Sequence, residues 1–342
     1  MARLNKSFPY KEIDVSFNNK ESGITLSGTL TLPLTGEKHT AIILISGSGP
    51  MDRDSTFLGH KPFRIIADYF ARKGVATLRF DKRGVGESTG DFAIATPEDF
   101  ARDVSAAIEY LQSLKEIDPK KIGLIGHSEG GLIASMAASR SEDVAFIVLM
   151  AGLLLPGRKN SSLVFTLLVN EDNTDNQNLD EDRKVFDRFF DLVSRESLTP
   201  EEREESIKIA EKTLPRINEK TKATMGFSEL TPETFVSIFS MPWLKEFLNS
   251  STESYLRKVN CPVLAIYGDK DVQVPSKENI EVINRLLIQG VNTDYTIIEI
   301  PNVNHLFQHC KTGYPSEYET SKQTMVPEVL NLISDWIFGR IK

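Results

Sequence analysis

Six short and almost unbroken apolar runs constrain this chain more than any other feature: Ala41 to Ile45, Val75 to Phe80, Ile122 to Ile125, Val144 to Met150, Val263 to Tyr267 and Tyr295 to Ile300. Each is too short for a buried helix and lacks the alternation of a strand with one wet face, so each reads as a strand covered on both sides. Amphipathic helical patterns separate them, which is how a parallel sheet flanked by helices is written. One such helix is especially legible. Thr96 caps it, Pro97 suits its first turn, Asp99 has capping-box spacing, and Phe100, Val104, Ala107, Ile108 and Leu111 form its apolar stripe. A closing helix buries Leu330, Ile333, Trp336 and Ile337. Ahead of the first run, residues 11 to 18 and 23 to 32 predict an antiparallel hairpin: Ile24, Leu26, Gly28, Leu30 and Leu32 share one face, Thr25, Ser27, Thr29 and Thr31 the other. The expected fold class is therefore α/β, with eight strands in a mostly parallel sheet.

The alternation breaks between Gly152 and Arg257, where helical patterns follow one another without a strand. This predicts one body from residues 1–151 and 258–342 and a helical insertion over 152–257. Residues 171 to 222 of the insertion hold 15 Asp and Glu against 10 Lys and Arg, so a net −5 of the chain's −8 lies there. Such a run reads first as solvated helix faces, and secondarily as a feature suited to a cationic or peptide amine ligand. Phe186, Phe189, Phe190, Phe235, Phe239, Trp243 and Phe247 either form the insertion's own core or roof a site on the sheet.

The net charge of −8 argues against nucleic acid as a partner, because such binding draws on clustered Lys and Arg. Two cysteines, Cys261 and Cys310, are too few for a disulfide framework and form no Cys-x-x-Cys pair. No metal constellation and no nucleotide-binding Gly-rich loop is present, so no metal and no cofactor is expected. The N-terminal stretch lacks the apolar core of a signal peptide, and no apolar run reaches the roughly 18 residues of a membrane span. A cytoplasmic protein acting on a small molecule is the expectation, with its oligomeric state open.

Gly126-His127-Ser128-Glu129-Gly130 carries the chemistry. As a bare pattern Gly-x-Ser-x-Gly is weak, and ordinary turns explain many matches. Here it joins the run Ile122 to Ile125 directly to the helical pattern from Gly131 to Arg140, the context in which it marks a nucleophile. A serine hydroxyl needs a base, and the base an orienting acid, later in the chain. Of five histidines only His305 and His309 lie far enough on, and His305 is preferred because it stands in the loop Pro301 to His305 that leaves a strand end. For the acid, Asp269 and Asp271 compete. Asp271 has a turn in front of it to reach back over the sheet, whereas Asp269 suits the closing of that turn.

Together with Asp81-Lys82-Arg83-Gly84-Val85-Gly86-Glu87-Ser88, Gly268 to Asp271 and Asn304-His305, these motifs resemble those of α/β-hydrolase fold serine hydrolases. Ser46 to Asp54, His305 to Gln308 and Gly313 to Tyr318 are more specifically similar to bacterial EstD-like carboxylesterases. The resemblance implies a helical cap inserted after strand six, over the active site, with Trp243 a candidate site-facing aromatic. It also implies an oxyanion hole from the backbone N–H of Glu129 and of Ser48, with Gly49 the second choice, since Ser46-Gly47-Ser48 stands where the family often has His-Gly-x. The expected activity is cleavage of carboxylic esters of short to medium acyl chain through an acyl-enzyme on Ser128, oriented by His305 and Asp271. Two rivals are a peptidase or thioesterase with the same triad, and a non-catalytic ligand-binding protein on this fold.

Overall fold

The computed structural model describes residues 8–173, 178–289 and 292–341. The chain opens with the hairpin β1 (Tyr10–Asn19) and β2 (Ile24–Pro33), followed by β3 (His39–Ile45), α1 (Pro62–Ala71), β4 (Ala76–Phe80), α2 (Pro97–Gln112) and β5 (Ile117–His127). Next come α3 (Glu129–Ala138), β6 (Val144–Met150), and the helices α4 (Gly157–Val169), α5 (Leu179–Val193), α6 (Pro200–Thr213), α7 (Glu219–Met225), α8 (Pro232–Phe239), α9 (Pro242–Asn249) and α10 (Glu253–Leu256). The chain then returns through β7 (Val263–Gly268), α11 (Ser276–Gln289), β8 (Tyr295–Ile300) and α12 (Pro327–Phe338).

All eight strands join one sheet in the order β1-β2-β4-β3-β5-β6-β7-β8. The strands from β3 to β8 pair in parallel, while β2 runs antiparallel to both β1 and β4. The apolar runs on β3 to β7 are buried on both faces, as their lack of alternation predicts, whereas Tyr295 to Ile300, on the edge strand β8, is only half-buried. Ile43, Ile45 and Leu78 pack toward α2, α3 and α11, whereas Ile42 and Leu44 pack toward α1 and α12. Thr96 and Asp99 form the reciprocal capping box that starts α2. Cys261 and Cys310 are free thiols.

Between β6 and β7 the described residues hold only helices and a 3-10 turn, and the segment has an apolar centre of its own. Phe165, Phe186, Phe189, Phe190, Phe235 and Phe239 meet there in tilted and edge-on ring pairs. On α9, Trp243 packs against the core that includes α2 and α3, and Phe247 packs against both that core and the segment's own apolar centre. Several of the segment's acidic residues on α5 and α6 pair with arginines, as in Arg188 to Glu205 at 2.7 Å, Arg195 to Asp191 at 2.8 Å and Arg216 to the buried Asp182 at 2.6 Å.

Candidate active site

The parallel strands deliver their C-terminal ends to one edge of the sheet, and the candidate residues gather there. Ser128 is the single residue between β5 and α3, with φ 57° and ψ −121°, a conformation that L-residues occupy only under strain. The sharp turn is held by its own peptide groups. Ser128 N donates to Met150 O at 2.9 Å, while Gly131 N and Leu153 N donate to Ser128 O at 2.9 and 3.2 Å. The flanking glycines are sterically required: a Cβ at Gly126 would fall 2.1 Å from Gly130 O, and one at Gly130 would fall 2.2 Å from Ile45 O.

His305 Nδ1 lies 2.7 Å from Asp271 Oδ2, and both side chains are buried. The second oxygen, Asp271 Oδ1, accepts from Gln273 N and Val274 N, each at 2.8 Å, so the carboxylate cannot swing away from the ring. The turn in front of Asp271 is closed by its backbone, Asp271 N donating to Gly268 O at 3.2 Å, whereas Asp269 Oδ1 accepts from Val303 N at 3.4 Å and so ties the turn to the loop after β8 instead of closing it. His309 is exposed, on a bridge to Val303. Ser128 and His305 line the same cavity, as do Ser48, Gly49 and Glu129. Among the described residues, the backbone N–H groups of Ser48 and Glu129 have no hydrogen-bond acceptor within the protein. The loop carrying Ser48 comes close enough that a Cβ on Gly47 would stand 3.2 Å from Ser128 Cβ.

Sequence reasoning missed two features. The first is the Glu129 side chain, fully buried, with Oε1 accepting from Trp243 Nε1 at 2.8 Å and Oε2 lying 3.2 Å from Lys82 Nζ. Lys82 also donates to Gly47 O at 2.6 Å and sits 4.4 Å from the centroid of the Phe100 ring. Burial lowers the pKa of Lys82, with Glu129 opposing. Position could have signalled this pair, since Lys82 follows β4 at the same sheet edge.

The second is His127, whose Nε2 lies 2.9 Å from His305 O and whose ring centroid is 4.7 Å from that of His305. Burial first, and then the neighbouring His305, push its pKa down to about 3, so the ring is neutral with Nε2–H as the donor. It thus anchors the His305 backbone without placing a second cation beside that imidazole. The unfolded ring titrates near 6.5, so below that pH the unfolded chain binds a proton that the native state refuses, and stability falls as pH falls toward 3. Lowering the pH from 7 to 5 should cost the wild type up to about 2 kcal/mol more than a His127→Gln variant, read from urea midpoints. Parallel loss in the two proteins would contradict the assignment.

The cavity encloses about 440 Å³, within the roughly 300 to 1,000 Å³ usual for small-molecule sites. Its floor includes Met51, Phe63 and Phe307, and its roof includes Val164, Phe165, Phe239, Trp243 and Leu244 from the helical segment. Among the described residues, Glu129 is the one acidic side chain lining it, and that carboxylate is already engaged by Lys82 and Trp243. None of the acidic run's described residues lines the cavity. Among the described residues, no group of three or more His, Cys, Asp or Glu is arranged to hold a metal ion, and no helix is long and apolar enough to cross a membrane.

A serine on a strained strand-to-helix turn thus shares one cavity with a buried His-Asp pair that follows the last two strands. The chain matches the alpha/beta hydrolase fold family over residues 41–311 and is a member of it. It is 23% identical over 329 residues to Esterase EstD of Thermotoga maritima, covering 96% of this chain and 68% of that one. It is 25% identical over 239 residues to Thiohydrolase aneE of Aspergillus aculeatus, covering 64% of this chain and 68% of that one. Among solved structures, an esterase of Pyrococcus furiosus shares the fold with a TM-score of 0.58 at 16% identity, over 98% of this chain and 92% of that one.

Proposed function

We propose that this protein is a serine hydrolase that cleaves carboxylic esters of short to medium acyl chain, with residues 1–151 and 258–342 as the catalytic body and 152–257 as a cap over the site. The observation that carries the reading is the His305 to Asp271 hydrogen bond of 2.7 Å, buried at the rim of an apolar cavity that Ser128 also lines. Ser128 Oγ attacks the acyl carbon while His305 Nε2 takes its proton. Asp271 holds Nδ1–H and offsets the charge that develops on the ring. The tetrahedral oxyanion accepts from the N–H groups of Glu129 and Ser48, donors worth about 3 to 4 kcal/mol each. Collapse breaks the bond to the leaving oxygen, which takes the proton from His305. Water, deprotonated by the same base, then attacks the acyl-enzyme, and the returning proton frees Ser128 as the acid leaves.

A cavity without a free charged group favours a neutral ester with an apolar acyl part over a peptide amine. The likeness to a thiohydrolase gives a thioester reading specific support, since a thioester presents the same acyl group to the same serine. The deciding experiment compares p-nitrophenyl esters of two to ten carbons with acyl-CoA thioesters and aminoacyl anilides. The account expects kcat/KM highest for an ester, and a preference for a thioester or anilide would replace this reading by one of its rivals.

The cap assignment makes its own prediction. Ile238, at the end of α8, lines the cavity roof. Ile238→Trp fills the space beneath the helices and should lower kcat/KM for an octanoate ester about 10- to 200-fold relative to acetate. Equal effects on both esters would place the acyl pocket elsewhere. Trp243 is a less clean probe, because its indole N–H is also bonded to Glu129.

A further inference from the structure

Lys82 is 4% exposed and follows β4, a strand that contributes no member of the Ser-His-Asp set. Its ammonium bridges two parts of the site that are far apart in sequence, the peptide oxygen of Gly47 and the carboxylate of Glu129, and faces the Phe100 ring with its remaining side. The Gly47 oxygen belongs to the same peptide unit as the Ser48 N–H. A trans peptide is planar, with its C=O and N–H pointing in opposite directions. Gripping the oxygen from the protein side at 2.6 Å therefore turns the Ser48 N–H the other way, toward the cavity that Ser48 lines. A cation on a carbonyl oxygen also polarises the amide, which strengthens its N–H as a donor.

The other contact reaches the second donor. Glu129 supplies a free N–H at the start of α3, and its side chain is held by Lys82 on one oxygen and by Trp243 of α9 on the other. Loop and elbow thus meet on one buried ammonium, and the helical segment joins them through the Glu129 carboxylate.

We propose that Lys82 is a positioning residue for oxyanion stabilisation: it orients the Gly47-Ser48 peptide and fixes the spacing of the Ser48 and Glu129 N–H donors, with Trp243 tying the cap to the same network. The inference rests on the esterase reading above, in which those two N–H groups receive the oxyanion. It goes beyond that reading by assigning a role to a side chain that touches neither substrate nor the reacting atoms.

The test uses Lys82→Met, which keeps the length and volume of the side chain, and the double variant Lys82→Met/Glu129→Gln, which leaves no buried carboxylate without its cation. Three quantities are read: kcat and KM for p-nitrophenyl butyrate, the rate of phosphonylation of Ser128 by a fluorophosphonate followed by mass spectrometry, and the thermal midpoint. Losing one oxyanion donor lowers kcat about 10²- to 10³-fold. A misdirected donor should cost about 10- to 100-fold in kcat and in phosphonylation rate, with KM changed less than about threefold. The double variant should recover thermal stability and keep the rate deficit. If it regains the wild-type rates, the single variant's loss came from an unpaired buried charge, and the positioning role is overturned. A wild type that is labelled at Ser128, with Lys82→Met labelled equally fast, overturns this inference alone. A wild type that is not labelled overturns the assignment of Ser128 and this inference with it.

Discussion

Ser128→Ala lowers kcat for an ester by about 10⁴- to 10⁶-fold and leaves the fold standing, on the scale of triad knockouts in other serine hydrolases. The size follows from what is removed. Alanine keeps the Cβ, so the strained turn at φ 57° stores the same strain in both proteins. The peptide hydrogen bonds that hold the elbow involve only the backbone N and O of residue 128 and survive the change. Only the attacking oxygen is lost, and the residual rate is what the N–H donors and the apolar cavity supply to a bound water. Activity within tenfold of wild type, measured on enzyme repurified from a host lacking background esterase, would remove Ser128 from the mechanism.

Asp271→Asn and His305→Ala should each be crippling, by about 10⁴-fold for the first and at least as much for the second. For Asp271 the hydrogen bonds dictate why an isosteric change does such damage. Gln273 N and Val274 N both donate to Oδ1, so asparagine must place its carbonyl oxygen there and its NH₂ at the Oδ2 position facing His305 Nδ1. A donor at that point forces the proton of the imidazole onto Nε2, where it can no longer accept from Ser128. The paired controls are Asp269→Asn and His309→Ala, each expected within about tenfold of wild type, because the first carboxylate bonds only a backbone N–H of the neighbouring loop and the second side chain is exposed. Steady-state kinetics on the four variants checks the set. A larger loss in Asp269→Asn than in Asp271→Asn would reverse the choice of acid.

Strand positions were legible because this sheet is buried on both faces. Val144 to Met150 and Tyr295 to Ile300 match β6 and β8 residue for residue. The beginning of β5 was not legible. Ile117 to Lys121 contains Asp118, Pro119 and two lysines, a composition that reads as a turn, yet it extends the strand through a register shift against β3, between the His39–Ile117 and Ala41–Ile122 pairs. Ser128, Asp271 and His305 could be read because each follows an apolar run at a strand's C-terminal end, where chain order and local turn chemistry limit the choices. The six phenylalanines and Trp243 at helical spacing fitted either an insertion core or a roof over the site, and packing divides them: Phe186, Phe189, Phe190, Phe235 and Phe239 meet one another, while Phe239, Trp243 and Phe247 line the cavity.

The Lys82 to Glu129 contact stayed invisible for a different reason. Its members are 47 residues apart, one in the loop after β4 and the other at the start of α3, and a lone lysine beside an aspartate and an arginine reads as surface charge. Only the fold places them together in a site closed to water, where each charge requires its partner. The same holds for Arg83, whose guanidinium reaches Asp103 at 2.8 Å beneath the surface. Arg79 likewise reaches Asp54 and Glu12, and Arg53 reaches Asp81 at 2.7 Å.

The central claim is that Ser128 is a nucleophile activated by His305 and Asp271, and covalent trapping tests it most directly. The protein is treated with a fluorophosphonate, digested, and mapped by tandem mass spectrometry, with His305→Ala beside it. The account predicts one adduct, on Ser128, formed in the wild type and slowed at least about 10³-fold in His305→Ala, since an unassisted hydroxyl attacks poorly. An adduct on another residue, or no adduct from a preparation that hydrolyses esters, would contradict it.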